Sequence, residues 1–218
     1  MYLPAHFEEK RPEVLAELVR THPLGLLVTL ADAGLQANSI PFFLDADPAG
    51  GPGILRAHVA RANPLWREAR TDVEALVVFQ GPQAYVSPGW YPSKAEHGKV
   101  VPTWNYVMVQ ARGLLRAIDD AAWVHALVSM AHALVSRLTT HHEAAQAKPW
   151  AVTDAPAPYI DTMTRAIVGI EIVLTALTGK WKVSQNRSTA DRAGVAGGLT
   201  AAGHAGSAAL ASGPPGAR

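Results

Sequence analysis

Residues 79–106, FQGPQAYVSPGWYPSKAEHGKVVPTWNY, concentrate side chains that bind ligands in what the sequence predicts to be a connection between two strands. The Trp and Tyr rings offer planar surfaces for stacking, and the Ser and Lys side chains offer hydrogen-bond donors for anions. Binding residues often lie in loops that a rigid scaffold positions. The segment is therefore either a binding loop or, as the structural alternative, a proline-stiffened loop whose rings close one end of a barrel.

A second candidate is residues 58–64, HVARANP, which run from the end of a predicted strand into a predicted helix N-terminus. Free backbone N–H groups at a helix start favour anions, and Arg61 could add a bidentate contact to a phosphate. The same pattern equally fits a capped helix with a solvated arginine, in which Asn63 is the N-cap and Pro64 the first helical residue.

A third candidate is residues 179–192, GKWKVSQNRSTADR, with four basic residues against one acidic residue. If the preceding strand continues, Lys182 and Ser184 lie on one face, and Gln185 and Asn186 follow just beyond. A cation, a hydroxyl and two amides together suit a phosphate or the carbonyl edge of a heterocycle. The alternative is a solvated basic edge strand, whose charge also protects it from aggregation.

The sequence carries little else that could do chemistry. The run His141, His142, Glu143 lacks the spacing of a metal site, and His125 and His132 share a helix face without a third ligand. No cysteine is present, and no nucleophile elbow, Walker loop or dinucleotide fingerprint appears. We therefore expect no metal and identify no catalytic side chain.

The predicted elements are mostly short strands with a few helices between them. We predict strands at residues 24–30, 35–44, 54–59, 74–79, 104–118 and 166–178, with a bulge or bend at Gly113. We predict helices at residues 12–20, 63–70, 121–138, 159–165 and 189–196. The chain from Gly197 is rich in Gly, Ala, Ser and Pro, so residues 200–218 are predicted to be disordered. The pattern favours one domain over residues 1–199, a mainly β (α+β) barrel with helical decoration.

The amino-acid composition limits the cellular compartment and the binding partners that we expect for this protein. Hydrophobic residues make up 49% of the 218 residues and charged residues 17%, and such a low charged fraction favours self-association. A net charge of +1 gives no global electrostatic case for a nucleic-acid or membrane partner. Charges near the N-terminus exclude a secretory signal there, and the most apolar stretch is interrupted by Glu171. A cytoplasmic, soluble protein is expected.

Several motifs taken together, in this order, resemble the PaiB family of FMN-binding negative transcriptional regulators. The resemblance covers residues 1–199 except for residues 121–151, which match only in character, and several of its motifs are long and unusual in composition. The matching pieces are MYLPAHF (1–7), HPLGLLVTL (22–30), HVARANPLW (58–66), VFQGPQAYVSPGWYPSK (78–94), VPTWNY (101–106), IVGIEI (167–172) and GKWKVSQNR (179–187).

The resemblance implies an FMN-binding split β-barrel of the pyridoxamine-phosphate-oxidase type, normally a homodimer with FMN at the subunit interface. By analogy, the flavin phosphate is held near the strand-to-helix connection that contains His58, Arg61 and Asn63. The residues implied to line the ring are Ser87, Lys94, Thr103, Trp104, Asn105 and Tyr106. Those implied to come from the second subunit are Lys182, Ser184, Gln185 and Asn186.

Three functions compete at this point. The first is an FMN-binding regulator or sensor, as the family description implies. The second is a flavin-dependent oxidoreductase in which FMN takes hydride from a reduced nicotinamide or a small substrate, which would explain why no catalytic side chain is visible. The third, a repressor that binds DNA directly, rests on the family description and the basic segment alone, because no helix-turn-helix pattern or broad basic face is present.

Overall fold

The computed structural model describes residues 1–119, 143 and 146–213. The predicted helix over residues 121–138, with His125 and His132, lies outside the described residues, as do His141 and His142. Eight strands are described: β1 (Glu8–Glu9), β2 (Leu24–Ala31), β3 (Gly34–Pro41), β4 (Phe43–Asp45), β5 (Ile54–Ala60), β6 (Ala75–Val86), β7 (Thr103–Ile118) and β8 (Ile167–Lys182). The α-helices are α1 (Pro12–Thr21), α2 (Leu65–Glu68), α3 (Ser93–His97), α4 (Ala157–Arg165), α5 (Thr189–Ala201) and α6 (Ala205–Ser212). Short 3-10 helices cover Ala5–Phe7, Pro88–Trp90 and Val152–Asp154.

The eight strands form one sheet in the order β3-β2-β6-β7-β8-β5-β4, with β1 paired to β8. The described chain divides into two compact units. Unit 1 comprises Met1–His22, Val78–Gln110 and Leu177–Arg218, and unit 2 comprises Pro23–Val77 and Ala111–Ala176. The three longest strands, β6, β7 and β8, pass from one unit into the other along the chain.

Unit 2 contains the first hairpin and the pairing of β5 with β8. Strands β2 and β3 pair antiparallel from Leu24 opposite Pro41 to Ala31 opposite Gly34, which confirms the predicted hairpin. Strand β5 runs antiparallel to β8, with Leu55 opposite Ile172 and Ala57 opposite Ile170. These side chains are fully buried or nearly so, because alternate residues of each strand face the core.

Gly113 is explained by a close backbone approach within unit 2. A Cβ atom at this position would lie 2.1 Å from the Val173 carbonyl oxygen of the neighbouring strand. Any larger residue would therefore push β7 away from β8, and glycine is the residue that such an approach requires.

Unit 1 has a core to which the C-terminal helices contribute. The cluster is made of buried residues from β6, the following loop, α5 and α6, with Trp90, Val100 and Ala196 packed against it. Its buried members are Ala84, Val86, Tyr91, Val195, Leu199, Ala208 and Ala211. Helix α1 adds Leu15, Leu18 and Val19 to the buried residues of this unit.

Most predicted strands and helices are confirmed, but two segments differ from expectation. Residues 79–106 are only partly a loop, because β6 continues to Val86, α3 follows, and β7 begins at Thr103. The expectation of disorder from Gly197 onward is wrong up to residue 212, where α5 and α6 lie. Small residues allow these helices to pack closely, so that Leu199, Ala208 and Ala211 are buried although the segment as a whole is not strongly apolar.

Candidate ligand site

The start of β7 and the end of β8 bring a cation and a hydroxyl together in unit 1. The Nζ group of Lys182 donates hydrogen bonds to Thr103 Oγ1 and to the Trp104 carbonyl oxygen, both at 2.5 Å. Burial lowers the pKa of the Lys182 ammonium, and the nearby positive charges of Lys180 and Arg187 lower it further. An ammonium has three N–H donors, and two of those of Lys182 are taken by acceptors in the described residues, which leaves one for a ligand within that part of the chain.

Asn105 and Ser184 are adjacent but face each other in the interior of unit 1. Asn105 Nδ2 donates to Ser184 Oγ at 3.0 Å, and Ser184 Oγ lies 3.1 Å from Asn105 Oδ1. Only 2% of Asn105 and 4% of Ser184 is exposed to solvent. Their hydrogen-bonding groups are engaged with each other, so the pair positions the backbone on which Lys182 and Gln185 lie.

The condition under which Lys182 and Ser184 would share a strand face is not met, although β8 extends four residues beyond the predicted end at Thr178. The strand ends at Lys182, and Ser184 has a φ of 67°, the left-handed conformation that only glycine adopts easily. Such a backbone is strained by about 1–3 kcal/mol, and it persists where surrounding contacts enforce it. Ser184 therefore turns the chain sharply at the end of β8.

The Gln185 side chain stabilises this turn through hydrogen bonds and does not extend into solvent. Its Oε1 accepts the Val183 N–H at 2.8 Å, while its Nε2 donates to the His6 carbonyl oxygen at 3.0 Å and to the Trp181 carbonyl oxygen. Asn186, the next residue, is exposed. Of these two predicted amides, Asn186 is the one on the surface.

Tyr106 lies beside a buried lysine that the sequence interpretation did not include in the site. The Lys180 Nζ atom lies 5.3 Å from the centre of the Tyr106 ring and 5.6 Å from the centre of the Tyr2 ring. It also donates a hydrogen bond to the Tyr2 carbonyl oxygen at 3.0 Å. Cation–π contacts of this kind stabilise a partly desolvated ammonium.

Ser87 and Lys94 belong to the loop that follows β6. Ser87 Oγ accepts the Gly89 N–H at 3.1 Å and caps the Pro88–Trp90 turn. Lys94 lies exposed on α3, whose first residue, Ser93, donates from both its N–H and its hydroxyl to the buried Asp191 carboxylate of α5. A ligand role for Ser87 and Lys94 stays a prediction.

The sequence interpretation missed Tyr85, which forms an exposed aromatic pair with Trp104. The two rings meet edge to face with centres 6.3 Å apart, and 47% of Tyr85 and 53% of Trp104 is exposed. The alternation of β6 and β7 places both residues on the face opposite their buried neighbours Ala84 and Asn105. The alternation of a strand would have placed Tyr85 on the exposed face if the strand predicted at residues 74–79 had been extended to Val86.

In unit 2, His58 contains a buried ring nitrogen without a partner. Its Nδ1 atom is shielded from solvent and has no hydrogen-bond partner among the residues that the structure describes. Burial lowers the pKa of the imidazole. An unsatisfied buried polar atom is unusual and marks a position where a ligand or a water molecule would be stabilising.

Arg61 in unit 2 has its guanidinium occupied by protein acceptors. It donates to the Arg165 carbonyl oxygen at 2.8 Å, to Asp119 Oδ1 at 2.7 Å and to the Ile167 carbonyl oxygen at 3.2 Å. Neighbouring Asn63 accepts the Leu65 N–H at 2.9 Å, as a capping side chain does, and donates to Asn38 at 3.3 Å. The Asn63 contact agrees with the capped helix of the structural alternative, but Arg61 is bound by protein acceptors and is not a solvated side chain. A phosphate contact by Arg61 stays a prediction.

The side chains described above have the chemical groups that a flavin nucleotide needs for binding. Unit 1 offers a donor on Lys182 beside the exposed rings of Tyr85 and Trp104, which suits the polar edge and the face of an isoalloxazine. Unit 2 offers the His58 Nδ1 atom on β5, which has no partner in the described part of the chain. The fold and these donors define a flavin-binding split β-barrel protein, as predicted.

The chain belongs to the family described as "Putative FMN-binding domain", whose model matches residues 1–176. FMN is therefore the cofactor that the family and the predicted site have in common. The resemblance to PaiB is confirmed: the chain is 27% identical to the Bacillus subtilis "Protease synthase and sporulation protein PAI 2", over 88% of this chain and 85% of that protein. It is 37% identical to the Emericella nidulans uncharacterized protein AN0679, over 91% of this chain and 90% of that protein.

Solved structures share the fold. The flavocytochrome Anf3 from Azotobacter vinelandii matches with a TM-score of 0.55 at 12% identity, covering 80% of this chain and 69% of that one. The FAD and heme binding protein from Mycobacterium smegmatis matches with a TM-score of 0.51 at 17% identity, covering 80% and 73%. At these identities the likeness concerns the fold alone. In the described part of the chain, no helix combines the length and apolarity that a membrane crossing requires.

Proposed function

We propose that this protein is an FMN-dependent oxidoreductase that transfers hydride between a reduced nicotinamide or another small substrate and its flavin. The observation that carries the proposal is the arrangement at β7 and β8, where Lys182 and Thr103 lie beside two exposed aromatic rings. Bound FMN supplies the redox chemistry itself. The protein needs only to bind the flavin, orient it and exclude water from its reacting face.

In this proposal Lys182 binds the electron-rich edge of the ring or the flavin phosphate. Thr103 and the Trp104 carbonyl oxygen hold the Lys182 side chain in place, so less rotamer entropy is lost when a ligand binds. Trp104 and Tyr85 supply flat apolar surfaces for the ring system. Asn105 and Ser184 act indirectly, by fixing the turn after β8.

Most basic side chains of residues 179–192 are hydrogen-bonded or buried within unit 1. This favours the oxidoreductase over direct DNA binding. Lys180 is buried, Lys182 is held by Thr103 and Trp104, and the Arg192 guanidinium donates to the Ala211 carbonyl oxygen at 3.2 and 3.3 Å. Lysines and arginines that contact a DNA backbone must reach outward to the phosphates. Three of the four basic residues in this segment are instead engaged inside unit 1.

The decisive experiment is an absorbance titration of the purified protein with FMN, followed by anaerobic addition of reduced nicotinamide. We expect FMN to bind and its oxidised absorbance to bleach. Lys182→Met should weaken FMN about tenfold, because a charge-assisted hydrogen bond contributes about 1.5–3 kcal/mol. The matched control is Lys99→Met, which removes an exposed lysine of the same unit and should leave FMN affinity unchanged. Bound FMN that no reduced nicotinamide or small substrate bleaches would contradict the oxidoreductase function.

A second candidate is a flavin-controlled regulator, which the relative named protease synthase and sporulation protein favours. If the basic segment serves both DNA and FMN, the two should compete. Labelled DNA titrated against flavin-free and FMN-loaded protein at two salt concentrations tests this. Salt-sensitive binding that FMN abolishes would support a regulator, since released counterions make phosphate contacts salt-dependent. Absence of binding to either form would leave the oxidoreductase.

We also propose that the protein works as a homodimer. Support comes from large apolar side chains at the surface of each unit, Tyr85 and Trp104 in unit 1 and Leu24 and Leu26 in unit 2. Exposed apolar groups in contiguous patches commonly mark interfaces.

A further inference from the structure

Residues 1–7, which we call the strap, are bound to the end of β8 and to the turn that follows it. Phe7 is buried and anchors the strap at one end. Near the other end, Lys180 Nζ donates a hydrogen bond to the Tyr2 carbonyl oxygen at 3.0 Å. Between these points, Gln185 Nε2 donates to a second carbonyl oxygen of the strap, also at 3.0 Å. The strap is therefore held at three points within unit 1.

Strand alternation places the strap beside the exposed rings of the candidate site. Tyr106 lies two residues after Trp104 on β7, and Lys180 lies two residues before Lys182 on β8, so each pair shares a strand face. The Lys180 Nζ atom lies 5.3 Å from the centre of the Tyr106 ring, which puts both faces on the same side of the sheet. The same atom lies 5.6 Å from the centre of the Tyr2 ring. Tyr2 therefore extends the row of rings that Trp104 and Tyr106 form.

Lys180 and Tyr2 depend on each other. Only 8% of Lys180 is exposed, and a buried ammonium needs acceptors to replace water. In the described chain its hydrogen-bond acceptor is the Tyr2 carbonyl oxygen, and two tyrosine rings add cation–π contacts. Tyr2 itself is 83% exposed, so little packing holds its ring in place. Lys180 therefore keeps an exposed ring beside the site, where a flat ligand could cover it.

We propose that Tyr2 is a ligand-binding residue of the FMN site, that the strap covers the bound flavin ring, and that Lys180 positions the strap. A tyrosine ring offers an apolar face for stacking and a hydroxyl at its edge. Covering the flavin on a further side removes water from its ring and slows its release. The inference rests on the proposed flavin site at β7 and β8, and it does not require the oxidoreductase activity.

The rate of FMN release tests the inference. Rapid dilution of FMN-loaded protein, followed by the fluorescence that free FMN regains, measures this rate without any redox reaction. We expect Tyr2→Ala to raise the rate about tenfold, because stacking contacts act mainly on dissociation. Tyr2→Phe keeps the ring and should release FMN at nearly the wild-type rate. The matched control is Tyr159→Ala, which removes an exposed tyrosine of unit 2 and should leave the rate unchanged.

The positioning role of Lys180 has its own variants. Lys180→Met removes the hydrogen bond to the strap and the cation–π contact, so FMN release should accelerate about as much as in Tyr2→Ala. Lys180→Arg keeps the charge and should restore a slower release. In the double variant of Tyr2→Ala and Lys180→Met, the two effects should not multiply, because both act through the same ring. Multiplying effects would mean that Lys180 acts on FMN independently of the strap.

Three results would overturn the role of Tyr2. One is an unchanged release rate in Tyr2→Ala. Another is an equal acceleration in Tyr159→Ala, which would make the effect non-specific. The third is a loss in Tyr2→Phe as large as in Tyr2→Ala, which would exclude stacking by the ring. Thermal unfolding of the flavin-free variants identifies any that is misfolded, and the exposed Tyr2 side chain should be replaceable without lowering Tm.

Failure of the strap and failure of the flavin site give different results. If Lys182→Met weakens FMN binding and Tyr2→Ala leaves its release unchanged, the site stands and the strap does not cover it. If neither substitution affects FMN, the flavin binds elsewhere and both proposals fail. Slow FMN release that depends on Tyr2, in a protein whose flavin no nicotinamide reduces, would support the strap and contradict the oxidoreductase.

Discussion

At the scale of single residues, the candidate site separates side chains that can reach a ligand from side chains that hold others in place. Among the described residues, Lys182 keeps an N–H donor available for a ligand and Trp104 exposes a ring face. Asn105 and Ser184, by contrast, are buried against each other. Residue type and spacing selected Lys182 and Ser184, and the family resemblance implied Trp104 and Asn105; neither source separates the two roles. Burial separates them, and burial depends on residues far away in the sequence.

The strained backbone of Ser184 gives a test of its positioning role. Ser184→Ala removes the hydrogen bond to Asn105 and keeps the strain, so we expect a loss of about 1–3 kcal/mol in the free energy of unfolding. Ser184→Gly loses the same hydrogen bond but relieves the left-handed conformation. It should therefore be about 1 kcal/mol more stable than the Ala variant in urea unfolding. A Gly variant less stable than the Ala variant would mean that the backbone here is not strained.

His58 predicts a pH dependence of stability. Burial lowers its folded-state pKa below the ordinary value of 6.5, so between the two pKa values the unfolded chain binds a proton that the folded protein does not. Stability contributed by neutral His58 is therefore complete above pH 6.5 and is lost as the pH falls through that value toward the folded pKa. His58→Gln should flatten this part of the curve of unfolding free energy against pH. An unchanged slope in the variant would assign the dependence to other groups.

At the scale of elements, the strands and the first part of α5 were predictable, whereas the end of α5 and the whole of α6 were not. Short runs rich in apolar and β-branched residues identified β2, β5 and β8, because this strand signal lies within each segment itself. Helices α5 and α6 are rich in Ala and Gly, and their composition is that of a linker. Their stability comes from packing on Tyr91, Trp90 and β6, which lie about a hundred residues earlier in the chain.

Two neighbouring glycines of α5 provide a matched test of that packing. A Cβ atom on Gly198 would lie 2.2 Å from the Trp90 ring, whereas one on Gly197 would meet no atom within 4 Å. Gly198→Ala should therefore destabilise the protein by about 1–3 kcal/mol through overpacking. Gly197→Ala should stabilise it by about 0.5–1 kcal/mol through helix propensity. Urea unfolding of both variants measures the difference, and equal effects would show that α5 does not pack on Trp90.

At the scale of the whole molecule, the sequence named two regions for the ligand site, and their ligand-binding role stays a prediction. The sequence motifs selected both the β7–β8 donors and the strand-to-helix connection around His58. They did not reveal that Arg61 is held by three acceptors, because two of these are main-chain oxygens around residue 166, about a hundred residues further along the chain. They also omitted Lys180, whose burial depends on Tyr2 and Tyr106. Such long-range contacts carry no local signature.

The proposed homodimer is the prediction that concerns the whole molecule. Light scattering at micromolar concentration should give about twice the chain mass of 23.1 kDa. Trp104 is 53% exposed beside Tyr85, so Trp104→Asp should shift the equilibrium toward monomer, because a buried unpaired carboxylate opposes association. Leu35→Asp, at an equally apolar and more exposed position in unit 2, serves as the matched control and should leave the mass unchanged. Dissociation by the Leu35 variant and not by the Trp104 variant would place the interface elsewhere, and a wild-type mass of one chain would exclude the dimer at that concentration.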